Sequence, residues 1–159
     1  MTDEPITLLV DMTCELPAAP EDVFAVIGDH RALARWIPGL RAVEVDESRA
    51  DSPGGAGTRR TLRMGLGPPG VEVVTAFAPP HRIAYGATDE SLRGLCTCHA
   101  AELTCTPSGG GTVVRWTVRA RLSTSWWRRW LAPLMFRLVC RAGLRRLRRL
   151  LAVGPSWAG

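Results

Sequence analysis

The chain has no lysine, no asparagine, no glutamine and only one tyrosine; all 20 of its basic residues are arginine. A lysine Schiff base, one standard way of processing carbonyl substrates, is therefore excluded. Acids are missing from the last third. Residues 1–102 carry all 15 acids and 9 arginines, whereas residues 103–159 carry 11 arginines and no acid. Such asymmetry marks a surface for nucleic acid, anionic lipid or an acidic partner. Long hydrophobic runs are also absent, because Arg137 and Arg141 cut the apolar C-terminal segment well below the roughly 20 residues a membrane span needs. Asp3 and Glu4 stand where a signal peptide would be positive, so a cytoplasmic protein is expected. The five cysteines (Cys14, Cys96, Cys98, Cys105, Cys140) are odd in number and lack disulfide spacing, which points to reduced, mostly buried thiols. On a strand, Cys96 and Cys98 point one way and His99 the other, so no metal site is expected there. No catalytic triad, phosphate loop or redox motif appears, and no cofactor is expected. At 159 residues, 46% hydrophobic and 22% charged, the chain fits one domain with a buried core, set here at 1–153 with a short tail at 154–159.

Ile6 to Leu16 alternates apolar and polar residues, the pattern of a half-buried strand. Pro20 suits the first turn of a helix, and Glu21 and Asp22 complement its N-terminal dipole. Val23, Phe24, Val26 and Ile27 supply its apolar face. A second short helix is expected over His30 to Trp36, stopped by Pro38-Gly39. Six further strands follow at Leu40–Asp46, Thr58–Met64, Val71–Phe77, Ile83–Ala87, Leu95–Thr106 and Val113–Leu122. Gly- and Pro-rich turns separate most of them, which predicts an antiparallel sheet. A helix from about Trp127 to Leu151 ends the fold.

The order strand, Pro17-to-Leu40 helix pair and Trp-x-Pro-Gly exit resembles the opening of the START/birch-pollen-allergen-like helix-grip superfamily (SRPBCC). Gly55-x-Gly57-x-x-Arg60, Pro79-Pro80-His81-Arg82-Ile83-x-Tyr85 and Gly111-Thr112-x-Val114-x-Trp116 resemble elements of its polyketide cyclase/dehydrase branch. The resemblance implies an α+β helix-grip fold. Its seven-stranded curved antiparallel sheet wraps a long C-terminal helix, with two short helices after strand 1 and an apolar cavity between. The superfamily spans catalysts, carriers and receptors, so fold alone does not fix function.

Strand parity then selects the groups facing such a cavity. Leu62 and Met64 carry Arg60 inward, and Arg59 and Arg63 face water, where Glu72 is placed to pair with Arg63. Ile83 and Ala87 bring in Tyr85; Thr97 and His99 share a face with Leu103; Val114, Trp116 and Val118 point inward together. Phe77, Leu134 and Leu138 are further lining candidates, and Trp36 sits at the pocket entrance as packing post or ligand contact. Arg60 has no evident inward acid, so it either meets an anionic or enolate-like ligand oxygen or snorkels to the mouth. His99, Tyr85 and Arg60 form the candidate catalytic set, with His99 as acid/base and Tyr85 as proton donor, or as satisfied core groups. The resemblance implies a bacterial natural-product enzyme that folds and cyclises or dehydrates a hydrophobic oxygenated intermediate. The alternative is a non-catalytic carrier or sensor of a lipid, isoprenoid or quinone.

The C-terminal helix shows two apolar surfaces. Phe136, Val139, Cys140, Leu144, Leu147, Leu150 and Leu151 form the sheet-facing stripe. Trp127, Trp130, Leu131, Leu134, Met135, Leu138 and Ala142 form a second patch, flanked by Arg141, Arg145, Arg148 and Arg149. This patch packs on the short helices, makes a homodimer, or touches a membrane. Nucleic acid is not expected, because the arginines lie beside no recognition element.

Overall fold

The computed structural model describes residues 6–87, 96–122 and 125–153, with backbone alone at 96–98. Seven strands form one antiparallel sheet: β1 (Thr7–Leu16), β2 (Leu40–Asp46), β3 (Arg59–Met64), β4 (Gly70–Ala78), β5 (Arg82–Ala87), β6 (Cys96–Ser108) and β7 (Gly111–Leu122). Their order is β1-β7-β6-β5-β4-β3-β2, so β2 to β7 form a meander and β1 closes beside β7. α1 (Pro20–Ile27), a 3-10 turn (His30–Ala32) and α2 (Leu33–Trp36) carry the chain from one sheet edge to the other. The expected second helix is thus split. The Asp29 carboxylate accepts from the backbone N–H of Arg31 and Ala32, fixing a tight turn before the α-helical one. α3 (Trp126–Ala152) packs on β1, β7 and α2. Leu95, the Thr97 side chain and the tail 154–159 lie outside the described residues.

Local sequence explains the junctions. Gly111 passes so close to the Leu16 carbonyl that a Cβ there would sit 2.5 Å from its oxygen. Next to it the buried Thr112 hydroxyl donates to the Ala18 carbonyl at 2.7 Å, tying the start of β7 to the β1–α1 junction. Gly57 has φ +94° and runs against the Arg49 carbonyl, a conformation and approach only glycine accommodates.

The core fills the space where α3 lies close to the sheet. Trp36 and Trp116 meet edge to face, with ring centroids 5.5 Å apart, and Gly143 sits directly over both. A Cβ at Gly143 would lie 3.3 Å from Trp116 and 3.5 Å from Trp36. On α3, Cys140, Gly143, Leu144, Leu147 and Leu151 are buried, with Phe136, Val139 and Leu150 half-buried beside them, following the expected stripe. No described helix is long and apolar enough to cross a membrane.

A branched side chain at Gly143 must push α3 off the two indoles. Gly143→Leu is expected to lower unfolding stability by about 2–3 kcal/mol, the usual range for overpacking a core. Urea denaturation measures this, and a midpoint equal to the parent's would refute the close packing.

Candidate functional site

Between the first half of α3 and strands β3 to β7 lies a cavity of about 310 Å³. Its walls are Leu62 and Met64 from β3, Ala101 from β6, Trp116 and Val118 from β7, and Met135, Phe136, Val139 and Cys140 from α3. Leu33, Ile37 and Leu40 close it on the short-helix side, and Pro68 and Gly70 at the β3–β4 turn. Four polar groups interrupt this lining: Arg60, Glu72, Tyr85 and His99.

Arg60 does not snorkel; it is 1% exposed. Its acid is Glu72, itself 8% exposed, with Arg60 Nη2 donating to Glu72 Oε2 at 2.5 Å. This corrects the expectation that Glu72 pairs with Arg63 in water. Arg63 instead pairs with Glu44 across the β2–β3 register, at 2.8 Å. β4 is apolar on both faces, with Val71, Val73 and Val74, so hydrophobicity does not decide its parity; burial at Glu72 and Val74 does.

The second Glu72 oxygen, Oε1, lies 3.3 Å from His99 Nε2. The carboxylate thus bridges guanidinium and imidazole, with Nε2 as the ring nitrogen that donates to it. His99 Nδ1 is buried without a hydrogen-bond partner among the described residues. The Arg60 guanidinium stacks 4.4 Å from the centre of the Tyr85 ring, and the Tyr85 and His99 rings meet edge to face at 6.4 Å. Phe136 of α3 covers His99 from the other side, at 5.7 Å.

A fifth titratable group, missed by the sequence reading, completes the network. Buried His30 faces Arg60 Nη1 with Nδ1 at 3.4 Å and donates from Nε2 to the Gly54 carbonyl at 2.8 Å. Burial lowers the His30 pKa from 6.5, and the adjacent Arg60 charge lowers it further against the Gly54 bond, so the ring is held neutral. Gly54 is in turn fixed by its N–H donating to the Glu47 carboxylate at 2.6 Å. The signal available in sequence was the glycine-rich loop opposite a histidine, but its 24-residue separation hides the contact.

The other titrating groups follow from the same environment. Burial pushes Glu72 upward, but the Arg60 charge and the His99 contact outweigh it, leaving the carboxyl below its ordinary 4.5. Burial and the Glu72 carboxylate raise Tyr85 well above its ordinary range, so its hydroxyl stays protonated. Burial pushes the Cys140 thiol, which also lines the cavity, up to about 12 and removes it as a thiolate nucleophile.

The structure brings Arg60, Tyr85, His99, Leu62, Met64 and Trp116 to one cavity. Five expected lining residues lie elsewhere. Phe77 packs on Phe24 and His30, because a register irregularity between Val74 and Ala76 shifts the end of β4. Val114 is fully buried in the core, and Trp36 is a packing post on Trp116. Leu134 and Leu138 are more than half exposed on the outer side of α3, where Met135, Phe136, Val139 and Cys140 take the inner one.

Comparison with known proteins places this geometry. The profile of the "Polyketide cyclase / dehydrase and lipid transport" family matches residues 7–152. No curated protein matches the chain in sequence. Among solved structures, a protein from Thermobifida fusca is 26% identical with a TM-score of 0.71, over 87% of this chain and 89% of that one. The di-domain ARO/CYC StfQ from the steffimycin biosynthetic pathway superposes with a TM-score of 0.72 at 14% identity, over 91% of this chain and 50% of that chain. A Thalictrum flavum norcoclaurine synthase point mutant bound to a transition-state analogue gives 0.73 at 15% identity, over 96% and 98%. The last two likenesses establish the helix-grip fold. With a profile match running from β1 to the end of α3, the chain belongs to the polyketide cyclase/dehydrase and lipid-transport family.

Proposed function

We propose that the chain is a cyclase/dehydratase acting on a hydrophobic poly-β-ketone-type intermediate held in the cavity. The observation that carries this reading is the Arg60–Glu72–His99 bridge with Tyr85, set into one wall of an otherwise apolar chamber. Glu72 orients His99 through Nε2, leaving Nδ1 to take a proton from a methylene flanked by two carbonyls. The Tyr85 hydroxyl, kept protonated by burial, donates to the developing enolate oxygen. The enolate carbon attacks a second carbonyl, and the alkoxide takes back the proton from His99. A second proton abstraction with departure of hydroxide, protonated by the same imidazolium, releases one water and restores the neutral ring. Apolar walls orient the chain and exclude bulk water during these steps. A carrier or sensor of a lipid, isoprenoid or quinone is the second reading, favoured by the aliphatic character of the remaining lining.

Turnover separates the two readings. With poly-β-ketone chains made by a reconstituted minimal polyketide synthase, His99→Ala and Tyr85→Phe should each lower cyclised product by roughly a hundredfold, the scale of acid–base assistance. Displacement of a bound anilinonaphthalene sulfonate dye should change less. Product formation unaltered in both variants, with the dye still bound, would leave only the carrier.

The ion pair offers an independent check. Glu72→Ala strands a buried guanidinium and should cost about 3–5 kcal/mol in unfolding free energy, whereas the double change Arg60→Met with Glu72→Leu should recover most of that loss. Turnover should stay low in the double variant, because His99 has lost the carboxylate that orients it. A double variant with full turnover would mean that the pair serves packing alone.

The protonation states also predict stability against pH. His30 and Glu72 both titrate lower in the fold than in the unfolded chain, so in each case the unfolded state takes up the proton first. Each contribution is present above the ordinary pKa and is lost as pH falls through the folded value. Urea midpoints should therefore drop in two stages, the first beginning below 6.5 from His30 and the second below 4.5 from Glu72. His30→Gln should flatten the first stage; an unchanged first stage in that variant would assign it to another group.

A further inference from the structure

Exposed apolar side chains gather on the outer side of α3, opposite the face that lines the cavity. On the first half of α3, Trp126, Trp130, Leu134 and Leu138 are 75%, 80%, 54% and 58% exposed. Elsewhere, the β3–β4 turn holds out Leu66, 94% exposed, two residues before Pro68, which lines the cavity. Met64 and Met135 belong to both places: each lines the cavity and each is about two-fifths exposed, at 38% and 42%. At these two residues the cavity lining reaches the surface.

The helix carries a second feature on the same side. Trp130, Leu134, Leu138, Arg141, Arg145 and Arg148 follow one another at intervals of three or four residues, which places them along one face. The three apolar or aromatic turns pass directly into exposed arginines, of which Arg148 shares a surface hollow with Glu15 of β1. At the start of α3, Arg128 stacks over the Trp127 ring at 4.9 Å. Tryptophans that insert at a boundary, followed by arginines that meet phosphates, fit the interface of a negatively charged bilayer. α3 is not apolar enough to cross one.

We propose that this outer face of α3 docks on an anionic lipid surface while the cavity on the helix's inner side holds the hydrophobic ligand. The docking stands whether or not the ligand is then turned over. Partition onto sedimenting vesicles tests it, using phosphatidylcholine alone and phosphatidylcholine mixed with phosphatidylglycerol. The parent protein should bind the mixed vesicles at least about tenfold more tightly than the neutral ones, and added salt should weaken binding. Trp126→Ser with Trp130→Ser should reduce binding roughly tenfold, as should Arg141→Ser combined with Arg145→Ser. These positions are exposed, so circular dichroism and turnover of a soluble substrate should not change. That keeps a failure here distinct from a failure of the cyclase reading. No binding to either vesicle at low salt would overturn the proposal, as would variants that bind like the parent. A concentration-dependent dimer, or capture by an acidic protein, that the same substitutions abolish in the absence of vesicle binding would overturn it too.

Discussion

A guanidinium and a carboxylate held out of water against an apolar cavity set the terms for much of this molecule. Removing each ion from water costs several kcal/mol, and the Arg60–Glu72 contact offsets this only when the remaining donors and acceptors are met. The structure meets them from several directions. His30 accepts at Nη1, Glu72 at Nη2, the Tyr85 ring takes the face, and His99 occupies the other carboxylate oxygen. Arg60 Nε is left without a partner among the described residues. The 47–57 loop is drawn into the same arrangement, because Glu47 holds Gly54, Gly54 holds His30, and Gly57 turns the chain into β3. A surface loop is thereby coupled to an interior charge.

The cavity and the core are two outcomes of one helix lying on one sheet. Distance between packed elements follows the side chains at the contact. At Gly143 the absence of a side chain lets α3 settle on Trp36 and Trp116, and the space fills. Two turns earlier, Met135, Phe136 and Val139 stand between α3 and the strands, and the space stays open. An empty chamber next to a well-packed one needs a stiff frame, since interiors otherwise close at native density. The Trp pair and the antiparallel meander supply it.

Much of this was legible in the sequence because the period of a strand is two. Alternation along β3, β5, β6 and β7 put Arg60, Leu62, Met64, Tyr85, His99 and Trp116 on one side, and they share one cavity. The same rule failed on β4, where apolar residues occupy both faces and a register irregularity follows Val74. There residue type alone places an acid in water and Phe77 in the cavity, whereas Glu72 lines the cavity and Phe77 packs on Phe24 and His30. On α3 the failure was geometric. Leu134 and Leu138 form a coherent apolar face, but periodicity shows that a face exists, not which surface it meets. His30 was hidden for a third reason: its partners, Gly54 and Arg60, are 24 and 30 residues away, and no local pattern encodes such a contact.

Polarity in the chamber runs in one direction. Arg60, Glu72 and His99 are almost wholly buried, whereas Met64 and Met135 at the mouth are partly open to solvent. A ligand must therefore bring its oxygen-bearing part past apolar walls before that part finds a donor, and its hydrocarbon remains against methionine and leucine. Uniformly apolar molecules gain from the walls but leave the ion pair without any added contact. Uniformly polar ones lose their hydration on the way in with nothing to replace it. In the proposed cyclase reading the buried pair is a selector before it takes part in chemistry: a molecule whose oxygens lie in the part that enters first replaces lost water with the Tyr85 hydroxyl and the ring held by Glu72. Lining and charge, placed by the same strand parity, favour the same class of ligand.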